Sequence, residues 1–172
     1  MDEKTITLFG TGRAKPDDPA YTLAYETGKE LARSGFIIVN GGYGGTMEAA
    51  AKGAAQVGGK TIGVTCRAFS STANQYISRE LSTTSLDERL DTLIKLGRAY
   101  VVLPGGTGTL LELAKVWEFK NKRFLRADKP IILVGAFWKP LVDLIATDDP
   151  DSGKHLQMVD TPSQIGKLIS DI

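Results

Sequence analysis

The sequence predicts an α/β fold of the Rossmann type: a doubly wound, mainly parallel sheet with helices on both faces. Short apolar runs alternate with helical patterns, those runs stop repeatedly at glycine clusters, and 172 residues suit one domain, spanning residues 1–172, with a substantial core. Parallel strands covered on both faces read as near-continuous apolar runs, and each crossover between them needs a dozen or more residues, usually a helix.

The first unit is a β-rich run at residues 5–9 that stops at Gly10-Thr11-Gly12, then a polar loop and a helical pattern over 19–34. The second unit repeats it. An apolar run at 36–39 halts at Asn40-Gly41-Gly42, and an alanine-rich helix over 46–57 stops at Gly58-Gly59. Residues 60–65 read as a third buried strand, whereas 67–84, with its Ser, Thr and Asn clusters, reads as an irregular, mobile loop. Ser85-Leu86-Asp87-Glu88 has the spacing of a capping box and predicts a helix to about residue 96. An uninterrupted apolar strand at 99–103 ends at Pro104-Gly105-Gly106 and leads into a long helix to about residue 122. A strand at 130–134, a helix at 137–146 and a turn-rich break at 148–153 follow, and Thr161-Pro162-Ser163-Gln164 opens the last helix.

Composition narrows the function. Lysine and arginine number 21 against 20 acidic residues, and a net charge of +1 provides no field to hold a long nucleic acid. The single cysteine, Cys66, excludes an intrachain disulfide, and with one histidine, His155, no metal site of the His/Cys type can be assembled. Cys66 reads as a packed thiol and His155 as a surface or strand-edge residue. The opening MDEKTITLFG lacks the basic start and long apolar stretch of a signal peptide, and no segment approaches the roughly 20 apolar residues of a membrane helix. A soluble, cytoplasmic protein with no membrane partner is expected.

In doubly wound sheets ligands bind beyond the carboxyl ends of the strands, where the three glycine clusters fall. In PGGTGTLLE, residues 104–112, Gly105, Gly106 and Gly108 let backbone approach a ligand. The helix start offers unpaired N–H groups and partial positive charge to a phosphate, and Thr107 and Thr109 add hydroxyls. A second nest, GGYGGTMEAA at residues 41–50, contributes Gly41, Gly42, Gly44, Gly45 and Thr46; Gly10, Thr11 and Gly12 form a third. The plainer alternatives are tight turns and close helix-to-strand packing. Glu112 fits a capping box opened by Thr109, yet a carboxylate in that early turn also leans back toward anything bound on the loop. Arg89 offers a planar fork to phosphate or carboxylate, or is a solvated arginine among Asp87, Glu88 and Asp91.

Other nucleotide folds fit poorly. FGTGRAK, residues 9–15, lacks the third glycine of the dinucleotide fingerprint, and Asn40 stands where a ribose-binding acid would follow the second strand. No GxxxxGK[ST] sequence is present. The helix over 110–124 is apolar around most of its circumference, which predicts either deep burial or a homodimer interface.

PGGTGTLLE matches the PGGxGTxxE signature of the Lonely Guy (LOG) family, and GGYGGTMEAA and GGKTIGV (residues 58–64) resemble that family's first glycine loop and following strand. The likeness covers nearly the whole chain. It implies hydrolysis of a nucleoside 5′-monophosphate, a purine nucleotide, to free base and ribose 5-phosphate, with Arg89 and Glu112 as the catalytic pair and no metal or organic cofactor. The glycine loops would then hold the 5′-phosphate. Arg89 is followed by Leu90 where the plant-type pattern has Arg-Lys, and Thr46 and Glu48 replace an apolar residue and a glycine of many hydrolases. That form also resembles the molybdenum-cofactor carrier proteins of the same superfold. A non-catalytic carrier of a phosphate-bearing pterin or nucleotide, or a nucleotide sensor acting through the dimer, is therefore the alternative.

Overall fold

The computed structural model describes residues 4–69 and 71–170. The chain runs β1 (Thr5–Phe9), α1 (Pro19–Arg33), β2 (Ile37–Asn40), α2 (Thr46–Gln56), β3 (Thr61–Cys66), β4 (Arg79–Thr83), α3 (Leu86–Leu96), β5 (Ala99–Val102), α4 (Thr107–Asn121), β6 (Ile131–Val134), α5 (Lys139–Ile145), β7 (Leu156–Val159) and α6 (Ile165–Leu168). The strands form one seven-stranded sheet in the order β4-β3-β2-β1-β5-β6-β7, and every neighbouring pair is parallel. The Rossmann-type expectation holds.

Strand order reverses at β1, which pairs with β2 on one side and β5 on the other. A crevice opens at such a switch point because the two connections leave in opposite directions. Side-chain alternation divides the core into two layers. Ile6 and Leu8 of β1 and Val101 of β5 pack with α1, α2 and Ile165 of α6; Phe9, Tyr100 and Val102 pack on the other face with α3, α4 and Trp138 beside α5. The carboxyl end of α3 is tied to the sheet by the Thr7 hydroxyl donating to Leu93 O (2.8 Å) and the Tyr100 hydroxyl donating to Ile94 O (2.7 Å).

Two expectations are corrected. The stretch 67–84 contains β4, an edge strand whose polar sequence gives no apolar run; Thr83 Oγ1 donates to Thr65 O (2.7 Å) and Thr65 Oγ1 to Glu80 Oε1 (2.6 Å). The described residues before β4 are irregular, as expected, but two of them are pinned: the Asn74 amide donates to Gly42 O and Tyr43 O, and Tyr76 O accepts from the Thr61 hydroxyl. Ser70 in that stretch lies outside the described residues. The break at 148–153 is turn-rich as expected and leads through a 3-10 turn at Ser152–His155 into β7, a short edge strand with half-buried His155 at its start. Second, α3 runs to Leu96 and Ser85 Oγ accepts from Glu88 N as expected, but the Glu88 carboxylate is held chiefly by Thr84 N and Oγ1.

Leu113, Val116 and Trp117 of α4 face the sheet, while Leu111 and Ala114 are exposed. Among the described residues no helix is long and apolar enough to cross a membrane.

Candidate active site

All three glycine clusters meet at the carboxyl ends of β1, β2 and β5. Thr11 O accepts from both Thr46 N and Thr46 Oγ1 (2.9 Å each), and Thr11 N donates to Pro104 O at 3.3 Å. These bonds lace the loops together. Asn40, fully buried, shapes the second loop from below: its Oδ1 accepts from Gly42 N (2.8 Å) and its Nδ2 donates to Met47 O (3.0 Å). Its place after β2 is structural. Trp138 Nε1 donates to Leu103 O (3.0 Å), bracing the strand that carries Pro104-Gly105-Gly106.

α4 starts at Thr107 with Gly106 as its N-cap and no side-chain cap, and Leu110 N makes the first bond back, to Gly106 O (2.9 Å). The amides of Thr107, Gly108 and Thr109 therefore lack helical partners, which makes the end of this 15-residue helix attractive to an anion. Gly44, Gly106 and Gly108 have open space where a side chain would stand, whereas Gly10, Gly41, Gly45 and Gly105 are packed against neighbouring atoms. The Thr46 hydroxyl is engaged by Thr11, and buried Thr109 lies over Gly105, so these two threonines act within the loops.

Because α4 begins at Thr107, Thr109 is its third residue, and the capping reading of Glu112 is corrected. Glu112 instead faces Arg89 of α3, with Oε1 3.9 Å from the guanidinium nitrogen. The Glu112 side chain is 15% exposed, and burial pushes its carboxyl up to about 7 against the opposing pull of Arg89. The solvated reading of Arg89 is corrected too. Asp91 pairs with Lys115, Glu88 caps Thr84, and Arg89, 8% exposed, donates from Nε to Val64 O at 2.8 Å.

Two aromatic residues complete the setting of Arg89 and were not singled out by the sequence. Its guanidinium carbon lies 5.6 Å from the Tyr43 ring centre and 5.8 Å from that of Phe69. Tyr43 is fixed by its hydroxyl, which accepts from Cys66 N (2.8 Å) and reaches Cys66 O (3.2 Å). The signal available was an aromatic residue inside each of two polar, glycine- or serine-rich stretches. Alongside Thr11 and Pro104 a cavity of about 520 Å³ opens, walled by Arg13, Ala14, Pro19 and Leu23.

The model of the SLOG cluster4 family matches residues 3–165. The chain belongs to that family. An uncharacterised protein of Archaeoglobus fulgidus is 30% identical to this chain over 130 residues, covering 76% of this chain and 83% of that protein. A cytokinin riboside 5′-monophosphate phosphoribohydrolase of Mycobacterium tuberculosis is 34% identical over 115 residues, which are 65% of this chain and 60% of the relative. Among solved structures, the molybdenum cofactor binding protein of Rippkaea orientalis superposes with a TM-score of 0.81 at 25% identity, over 99% of this chain and 97% of that one. The LOG resemblance and the likeness to molybdenum-cofactor carriers expected for this SLOG chain are both borne out.

Proposed function

We propose that the chain is a LOG-type phosphoribohydrolase that cleaves the N-glycosidic bond of a purine nucleoside 5′-monophosphate. The observation that carries this reading is the buried Arg89–Glu112 pair beside the unpaired amides of α4. Cleavage develops oxocarbenium character at the ribose C1′ while the base leaves with the bonding electrons and takes up a proton. A carboxylate stabilises that cation and takes a proton from the attacking water. Glu112, titrating near 7, is poised for both tasks. Arg89 cannot act as a base; held by Val64 O, it keeps the carboxylate in place and offers its remaining N–H groups to the substrate. The phosphate would take the amides of Thr107, Gly108 and Thr109 and the open flanks of Gly44 and Gly106. No step in this scheme requires a metal or organic cofactor.

The same reading takes the protein as one LOG-like domain and as a cytoplasmic homodimer. Exposed Leu111 and Ala114 on the outer side of α4 support a dimer interface there. A second reading, a non-catalytic carrier of a phosphate-bearing pterin or a nucleotide sensor, is favoured by Leu90 standing next to Arg89 and by the likeness to the Rippkaea orientalis protein. The deciding test is release of free base from adenosine 5′-monophosphate and a cytokinin riboside 5′-monophosphate by the wild type and Glu112→Ala. Release that disappears in the variant supports the hydrolase; no release from either nucleotide, with pterin binding retained, supports the carrier.

A further inference from the structure

We infer that Phe69 is the stacking surface for the heteroaromatic base of the bound nucleotide, next to a cation held in place by Tyr43. This rests on the reading above for the presence of a nucleotide; the position of the ring rests on the geometry. The Arg89 guanidinium and the rings of Tyr43 and Phe69 form a nearly equilateral triangle, with separations of 5.6 and 5.8 Å from cation to rings and 5.8 Å from ring to ring.

The two rings differ in what else they do. Tyr43 is half-buried in the second glycine loop, its hydroxyl clamped across Cys66 N–H and C=O, so its position is fixed and its contact with Arg89 is structural. Phe69 stands on the turn after β3, where Phe69 N bonds to Cys66 O (3.0 Å), and 40% of its surface remains in solvent. It touches the buried cation from one side and leaves the rest of the ring open. Folding gains little from such a placement, since much of the apolar area stays wet.

A ligand with a flat π-face covers that area. Its phosphate and ribose would already be directed by the α4 amides and by Glu112, so a base attached at C1′ emerges close to Arg89 and within reach of the Phe69 ring. Stacking of a base on an aromatic side chain tolerates any base, which makes Phe69 a determinant of affinity for the base rather than of its identity. The competing location is the cavity walled by Leu23 and Pro19, on the α1 side of the loops.

The test is equilibrium binding in a Glu112→Gln background, which stops turnover, using adenosine 5′-monophosphate and, as a ligand without a base, ribose 5-phosphate. Phe69→Ala should weaken the nucleotide about tenfold while leaving ribose 5-phosphate within about twofold. Phe69→Trp should restore nucleotide binding, with indole fluorescence quenched by the nucleotide and not by ribose 5-phosphate. Equal weakening of both ligands would mean that Phe69 acts only through Arg89, and would overturn the inference. So would loss of base-dependent affinity in Leu23→Arg with Phe69→Ala unaffected, which locates the base in the cavity. An absence of nucleotide binding in the parent overturns it as well. If wild type releases no free base yet Phe69→Ala still weakens the nucleotide selectively, the hydrolase reading fails and this one stands.

Discussion

The Arg89 guanidinium lies directly against Gly41, where a Cβ would overlap it and would come within 2.6 Å of Met47 Sδ. A glycine of the phosphate-loop pattern is thus also the floor on which the cation of the site rests. Gly41→Ala has to displace the end of Arg89, because the alternative is to move the backbone of a loop held by Asn40 and Asn74. Overpacking of this kind costs about 1–3 kcal/mol. We expect Gly41→Ala to fold with a modest loss in Tm and to lose as much base-release activity as Arg89→Ala, measured side by side. Wild-type activity in Gly41→Ala would show that Arg89 needs no fixed position.

The pH profile follows from Glu112. In the proposed hydrolysis Glu112 is the general base and must be ionised, and burial raises its carboxyl to about 7. kcat/KM should therefore rise about tenfold per pH unit below that value and level off above it. Glu112→Gln should remove the limb and about 10²–10⁴ of the rate. A profile flat from pH 5 to 8 would assign the proton transfer to another group.

How much of this was legible in the sequence depends on whether a feature is local. The alternation of β1, α1, β2, α2 and β5 could be read because each strand is buried on both faces and so written in consecutive apolar residues. β4 and β7 are edge strands with Arg79, Glu80 and Gln157 turned to solvent, so neither produces an apolar run. Glu112 was ambiguous for a different reason. Its spacing from Thr109 mimics a cap, and only the start of α4 at Thr107 decides against that. The apposition of Tyr43 and Phe69 on Arg89 joins the β2 loop, the turn after β3 and α3; no spacing along the chain encodes it.

The same carboxyl makes stability depend on pH. Its folded-state value of about 7 lies above the ordinary 4.5, so between those values the native state holds a proton that the unfolded chain has lost. Stability contributed by this group is complete below about 4.5, falls as pH rises toward 7, and stays lost above it. The full penalty is about 3 kcal/mol as an upper estimate. Glu112→Gln should accordingly be more stable than wild type toward urea at pH 8 and no more stable at pH 4.5. Equal midpoints for the two proteins at pH 8 would show that Glu112 carries no burial penalty.

Gly44 and Gly45 are neighbours with opposite constraints. Gly45 has φ +67°, and a side chain there would press on the carbonyl of Thr11 and come within 2.7 Å of Gly12 Cα, both backbone atoms that cannot swing away. With ψ at −134° this is a backbone conformation that side-chain-bearing residues rarely adopt, costing an alanine about 1–3 kcal/mol, and the collision adds to it. Gly44 faces open space. Gly45→Ala should thus lower Tm sharply, while Gly44→Ala should melt with the wild type and bind ribose 5-phosphate more weakly, because its new methyl group occupies the ground that a phosphate would take. Calorimetric melting and titration on the same two variants separate these effects: unchanged ribose 5-phosphate binding by Gly44→Ala would remove Gly44 from the phosphate cradle and leave the α4 amides as its principal support.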